Sequence, residues 1–423
     1  MYFSKKILSA ALAATFLSSA ALAASFNPGN YSASAVGMKG LVTVHVTFSA
    51  NKIEKISVDP NNKETVGIGS VAIEKLPAQI ISSQSTNIQG VSGASMTSRA
   101  ILQAASECIK QAGVDPSTLK AKKADQHAAK ETLSADIVII GGGVAGMSAA
   151  VNAADHGAKV IIIEKMPFTG GASAICGGQY AIQGSKLQKQ KGVENDPPQA
   201  LVYDLIGNGH NYNKLSSLKT LAEQSPRATD WAIDRFKLHF VDQKLQYRAE
   251  FQFDRSLYLK NGCGPMAESL RQAVKADGIK VLTDTRANKL IVKDGRAIGV
   301  QAQGKNGTRY TINGNAVLLA TGGYGANKEM LVEPLKSALY YGPVSSTGDG
   351  HKMAEEIGVP LELMQFGKRY PNGVEAAPGR AASVIQGNYR AWLKSGILVN
   401  VNGKRVVNKK ASNNNISLEE CCS

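Results

Sequence analysis

Beyond residue 23 the chain has no apolar run long enough to cross a bilayer, which excludes a membrane-spanning body. Cysteine is scarce. Cys108, Cys176 and Cys263 stand singly and Cys421 and Cys422 close the chain, so no disulfide framework can be read from their spacing. The absence of C-x-x-C-H excludes attached c-type haem, and any electron-transfer role must use another carrier. The formal charge is +15, yet the lysines form no basic block and have no aromatic interleaving, which argues against nucleic acid as a partner. That excess is read as a solvated surface or as a field drawing in anionic substrates or an acidic electron donor. No internal repeat is visible and no metal site is expected.

The 423 residues suffice for two or three domains, each with its own core. Residues 1–23 join a basic start (MYFSKK) to a short apolar stretch and Ala21-Leu22-Ala23, a small-x-small cleavage site; they are expected to be an export signal, which puts the mature protein in the periplasm. Residues 24–113 read as a small α+β domain. Leu41 to Phe48 alternates, with Val42, Val44, Val46 and Phe48 on one face and Thr43, His45 and Thr47 on the other, so His45 is expected to face solvent. Ser49-Ala50-Asn51 turns the chain and Ile53 to Val58 returns it. A helix is predicted from Ser98, with Cys108 on its buried face, stopping at Gly113. The polar, lysine-rich residues 114–134 read as a linker.

The second domain, from Ala135, opens with the apolar strand Ile137 to Ile140, the loop Gly141-Gly142-Gly143-Val144-Ala145-Gly146 and a helix ending at His156-Gly157. A second strand, Val160 to Ile163, closes on Glu164. Gly141 permits the tight turn, Gly143 lets backbone approach a pyrophosphate, and Gly146 lets helix and strand pack closely; the helix N-terminus faces the phosphates. Glu164 is placed to accept hydrogen bonds from ribose hydroxyls. His156 is read as a partner of the helix C-terminus. FAD is favoured over NAD because Phe168-Thr169-Gly170-Gly171-Ala172-Ser173 and Cys176-Gly177-Gly178 form a second glycine-rich stretch after the acid, suited to a bulky cofactor. A later strand, Ala316 to Ala320, leads into another such turn, Thr321-Gly322-Gly323-Tyr324-Gly325.

The segments EKMPFTGGASAICGG, LLATGGYG and SSTGDGHKMAEEIG, in this order and spacing, resemble the soluble fumarate reductase and flavocytochrome c family of FAD-dependent enoate reductases, over residues 135 to about 408. The resemblance implies a Rossmann-type α/β domain over 135–365, with part of a capping domain over 366–423. It implies non-covalent FAD held at Ala145, Glu164, Lys165, Gly170, Gly171, Ala172, Ser173, Gly177 and Gly178, near Ala287 and by Asp349, along with Gly141, Gly143 and Gly146 of the first loop. Ala172 stands where asparagine is usual, which removes one cofactor hydrogen bond.

Residues 28–112, through TVGIGSVAIEKLPAQIISSQS and GVSGASMTSRA, look like the small FMN-binding domain attached to many haem-free relatives. The resemblance implies an FMN phosphoester on Ser95, made by a separate flavin transferase, with Thr97 as the second choice of acceptor. Gly93 and Ala94 leave room for transferase and phosphate, and the helix beginning there stabilises the anion. The alternative is that Ser95 and its neighbours only cap that helix. Gln89 stands where the family prefers aspartate.

The resemblance further implies a relay from a periplasmic cytochrome or quinol-linked donor, through FMN and FAD, to the C=C bond of a small α,β-unsaturated carboxylate. Tyr370 falls at the family's substrate histidine, which points to an aromatic or imidazole acrylate; a buried core aromatic is the other reading. Arg369 is read either as a carboxylate ligand or as a surface arginine. The family's proton-donating arginine falls at Asn413, shortly after Gly403-Lys404-Arg405. Tyr370, Arg369 and Arg405 are the catalytic candidates. Residues 409–423 no longer resemble the family, so the chain is expected to end before the segments that complete both sites and to leave apolar faces exposed. Two further readings stand beside this one: a non-catalytic FMN carrier, and a flavin dehydrogenase of ketosteroid type.

Overall fold

The structure, a computed structural model, describes residues 25–121, 129–246, 248, 250–367, 373–377, 380–383, 396–397, 399 and 402–405. The export signal expected over 1–23 lies outside them.

The first unit is an antiparallel sheet of β1 (Gly29–Val36), β2 (Leu41–Ser49) and β3 (Lys52–Val58), in that order. Two helices, α1 (Gly69–Ser83) and α2 (Ser95–Gln111), contribute to its core. The alternation of β2 sets that geometry: Val42, Val44, Val46 and Phe48 are buried with Leu76, Ile80, Ile101 and Ile109. On the opposite face Ser32 bonds His45 at 2.7 Å and Ser34 bonds Thr43 at 2.8 Å, so His45 is exposed. Cys108 is fully buried, and burial, assisted by Glu107, pushes its thiol up to about 11. Helix α2 begins three residues earlier than its apolar periodicity predicts, because the polar first turn Ser95-Met96-Thr97 continues the helical backbone.

Residues 114–134 are not simply a linker. Leu119 O accepts the Ser85 hydroxyl at 2.6 Å, which ties this stretch to the first unit. Beyond it, β4 (Lys130–Ser134) pairs in parallel with a strand of the second unit. The polarity of KETLS reflects an exposed edge position and conceals the strand from a reading based on apolar alternation.

In the second unit, β5 (Ile137–Ile140), α3 (Val144–Asp155) and β6 (Val160–Ile163) form the dinucleotide-binding motif. Short β7 (Gln179–Ala181) and β8 (Ser256–Tyr258) pair with one another, and α4 (Lys186–Gln190), α5 (Pro198–Asn208) and α6 (Leu215–Phe236) lie between them in the chain. Helix α7 (Cys263–Ala276) leads to β9 (Lys280–Leu282). Next come β10 (Thr285–Lys293), β11 (Arg296–Gly304), β12 (Arg309–Asn313), β13 (Ala316–Leu319) and α8 (Asp349–Glu356), and then a hairpin of β14 (Gly373–Ala377) and β15 (Arg380–Ser383).

One sheet, β13-β5-β6-β9, is parallel throughout; the other runs β10-β11-β12-β4. The runs IVII and VIII are apolar at every position because β5 and β6 are covered on both faces. Ile139, Val160 and Ile162 are buried with Met147 of α3 and Leu270 of α7, while Val138, Ile140, Ile161 and Ile163 are buried with Leu290, Val300 and Ile312 of the second sheet. At the edge strand β13, Leu318 and Leu319 remain 38% and 37% exposed.

The cysteines supply what their spacing does not announce. Cys176 and Cys263 form a disulfide with a Cα–Cα distance of 5.6 Å, across 87 positions. The stretch Gly171–Ile175 lies against α7, and the bond joins the residue after that stretch to the first residue of α7.

Candidate nucleotide cavity and acceptor loop

A cavity of about 450 Å³ opens at the C-terminal ends of β5 and β6, the position at which open α/β sheets take ligands. It is lined by Gly141, Gly143, Ala145, Glu164, Lys165, Gly171, Ala172, Ser173, Ala287 and Asp349, residues as far apart in the chain as 141 and 349. Gly141 has φ +109°, and a Cβ there would strike Ala320 O; a Cβ on Gly146 would strike Gly141 O. Around Gly143 no atom lies within 4 Å of where a Cβ would stand. The open side of Gly143, at the N-terminus of α3, is thus a cradle that only a side chain or a ligand would fill. A pyrophosphate meets there the partial positive charge of the helix, and the residues present fit an FAD.

Glu164 is buried. Its Oε2 accepts Gly142 N–H and its Oε1 accepts Met166 N–H, each at 2.8 Å. Burial raises its pKa above the ordinary value, and the backbone N–H groups act in the opposite direction. A carboxylate has about four acceptor sites, so capacity for ribose hydroxyls remains.

Asp349 is the first residue of α8. Its carboxylate accepts Lys165 Nζ at 2.9 Å, Arg286 Nη2 at 2.7 Å and the Thr347 hydroxyl at 2.8 Å. Burial would raise its pKa, but these three donors outweigh burial and hold it below the ordinary aspartate value. Two residues on, His351 meets Tyr324 edge-on at 5.0 Å, and its buried Nδ1 has no hydrogen-bond partner. His351 also lines the cavity. Arg286 and His351 are missing from the sequence-based set; His351 lies within GDGHKMAEE, where the unusual imidazole is the available signal.

Four residues predicted to hold FAD are not among the lining residues: Gly146, whose packing against Gly141 is described above, and Gly170, Gly177 and Gly178. Gly170 has φ +127° and bonds Gly142 O through its N–H at 2.7 Å, holding the loop from behind. Gly178, with φ +89°, lets Gly262 approach to 2.8 Å of where its Cβ would be and accepts Leu259 N–H at 2.8 Å. Gly177 lies beside it, outside the cavity lining. In this structure Gly178 serves backbone packing next to the disulfide, whereas nothing lies within 4 Å of where a Cβ on Gly177 would stand.

On the first unit, Gln89, Ser92, Ser95 and Arg99 line an open concavity. Ser95 is exposed and is the first residue of α2; the N-cap is Ala94, which makes no side-chain cap. The capping alternative for Ser95 is therefore not what the backbone adopts. Thr97 is buried at 3% exposure and its hydroxyl donates to Glu64, so a transferase cannot reach it. That corrects Thr97 as an acceptor.

Of the catalytic candidates, Tyr370 and Arg369 lie outside the described residues. Arg405 is exposed, pairs with Val399 in an isolated bridge and does not line the cavity. Among the described residues no helix is long and apolar enough to cross a membrane.

An FAD binding domain family matches residues 136–419, and an FMN-binding domain family matches residues 37–110. The chain is 30% identical over 387 residues to the urocanate reductase of Eggerthella lenta, covering 89% of this chain and 63% of that protein. It is 28% identical over 464 residues to the NADH:acrylate oxidoreductase of Vibrio harveyi, covering 93% and 45%. The open conformation of a flavocytochrome c3 fumarate reductase superposes with a TM-score of 0.60 at 28% identity, over 72% of this chain and 56% of that one. The chain thus spans less than two thirds of the length of each of these relatives.

Proposed function

Because this chain belongs to the FAD binding domain family, with an FMN-binding domain ahead of it, we propose that it is part of an exported flavoprotein that reduces the C=C bond of a small α,β-unsaturated carboxylate. The observation that carries this reading is the pairing, on adjoining units, of a nucleotide cavity with an exposed acceptor hydroxyl. Bound FAD supplies hydride-transfer chemistry, and FMN the electron carriage, that side chains lack.

The chain's own residues do the rest. The open side of Gly143 and the N-terminus of α3 receive the pyrophosphate, and Glu164 accepts from ribose. Lys165, Arg286 and Asp349 form a wall with one positive charge in excess that places no unpaired carboxylate against a phosphate. Ser95 is the proposed site of a phosphoester, with Arg99 on the next turn of the same helix face to balance the phosphate. A cation must hold the substrate carboxylate, and Arg369 and Arg405 are the candidates. Tyr370 bordering an aromatic or imidazole ring favours a urocanate-type acid over plain fumarate. The relatives named for urocanate and acrylate support the substrate class. A flavin transferase and a periplasmic cytochrome or quinol-linked donor complete the proposal.

The test is direct. Protein recovered from the periplasm should carry an FMN adduct on the Ser95 peptide by mass spectrometry, bind FAD, and, once reduced, be reoxidised faster by urocanate than by fumarate. An adduct without FAD binding supports the carrier reading, and failure of every enoate to reoxidise the reduced chain removes the catalytic one.

A further inference from the structure

The segment between β6 and the residues that line the far side of the cavity is a strap fastened at both ends to Gly142. At one end Glu164 Oε2 accepts Gly142 N–H at 2.8 Å; at the other Gly170 N–H donates to Gly142 O at 2.7 Å. Within the strap, Met166 N–H is held by Glu164 Oε1 at 2.8 Å, and Met166 O accepts Asp284 N–H at 3.0 Å. Its middle reaches the other unit. Pro167 O accepts the Lys75 ammonium of α1, and the Phe168 ring packs on the core of the first unit. That ring lies 3.0 Å from where a Cβ on Gly93 would stand, with Met166 Cε at 4.0 Å. Gly93 has φ +85° and precedes the buried Ala94 and then Ser95. A second contact pins the same junction: Arg271 Nη2 donates to Gly67 O at 3.1 Å, and Gly264 approaches to 2.8 Å between its Cβ position and Val66 O.

We propose that Phe168 is a positioning residue that couples the two sites: it latches the loop bearing Ser95 to a strap anchored on the dinucleotide loop, so that filling the cavity steadies the acceptor loop. The inference rests on the cofactor assignment above and goes beyond it by naming the contact through which one site senses the other. A ligand that fixes Gly142 and Gly143 fixes both anchors of the strap, and Phe168 is its contact with Gly93. Linkage makes the effect reciprocal, so ordering of the loop also favours occupancy of the cavity.

Amide hydrogen exchange on the full chain, with and without added FAD, tests this. In the wild type, FAD should slow exchange in peptides covering 89–96 by about five-fold or more, the lower end of ordinary site-to-site coupling. Phe168→Ala should abolish that response while FAD still protects 141–146, and Phe168→Leu, which keeps apolar bulk at the contact, should retain most of it. A wild-type loop that exchanges equally with and without FAD overturns the proposal, as does a full response in Phe168→Ala. If Phe168→Ala fails to fold, Phe168→Val, which shortens the same contact, takes its place, and a full response there with intact protection of 141–146 likewise overturns it. The same response is expected in Ser95→Ala, which cannot carry a flavin ester there; failure of the coupling and failure of attachment are thereby separated.

Discussion

The cavity at the mouth of the parallel sheet is assembled from residues as far apart as Gly141 and Asp349, whereas the acceptor loop is a run of neighbours, 89–95, in front of one helix. In the cavity, the polar groups of Glu164 and Asp349 are already bonded before any ligand arrives, and what is left open is space beside Gly143. In the loop the reverse holds: Thr97 and Ser98 are committed to internal bonds, and the exposed hydroxyl of Ser95 is left over. On the proposed reading, reversible grip comes from shape plus satisfied charge, and a covalent flavin needs one accessible oxygen.

The largest effect expected is all or none. Ser95→Ala should eliminate covalent flavin, scored by fluorescence of the denatured chain in a gel, while Thr97→Val should keep it and lose about 1–3 kcal/mol of stability, because Glu64 Oε2 loses its donor while Oε1 keeps Lys39 N–H. Retained fluorescence in Ser95→Ala would reassign the acceptor.

Gly143→Ala and Gly146→Ala sharpen the cavity side. A methyl at Gly143 meets no neighbouring group, so the stability should stay within about 0.5 kcal/mol of the wild type. FAD affinity should nevertheless fall about 10- to 100-fold, as expected for overpacking of 1–3 kcal/mol against the ligand. Gly146→Ala drives a methyl into Gly141 O and should destabilise the fold itself. Equal loss of stability in both variants would contradict a ligand-shaped space.

Reduction of Cys176–Cys263 should remove about 2–4 kcal/mol from the second unit, measured by denaturant melts with and without reductant. The acceptor unit, whose free Cys108 is in its core, should be indifferent.

The smallest effect is in pH, where two cavity acids slope oppositely. Asp349 is held below the ordinary aspartate pKa of about 3.9, so its bonds contribute fully above that value and are lost as pH falls through the folded one. Glu164 is raised, so its contribution is complete below the ordinary glutamate value and fades as pH rises through the folded one. Asp349→Asn should flatten the acid limb of a stability–pH curve and leave the Glu164 limb standing.

Local features are legible in the amino-acid sequence alone. The alternation of Val42 to Phe48, the apolar runs of β5 and β6, and the glycines at 141, 143 and 146 each express a rule of short range. Contacts of long range are not. KETLS reads as linker because its partner, β12, lies some 180 positions on, and the disulfide stays hidden because nothing in a spacing of 87 announces it. Gly178 looks like a cofactor glycine by composition; only the approach of Gly262 reveals the other demand. His351 is visible in the sequence, but its unpaired ring nitrogen is a property of the folded cavity.

The anchoring of Leu119 on the first unit and of Ala129, through Arg309, on the second leaves residues 120–128 as the covalent connection between them. Fully stretched, that leash reaches roughly 35 Å. If the first unit swings away, it searches a volume small enough for millimolar effective concentration, so re-docking needs no strong interface of its own. Short tethering thus supplies what the few contacts at Phe168 and Arg271 would not have to.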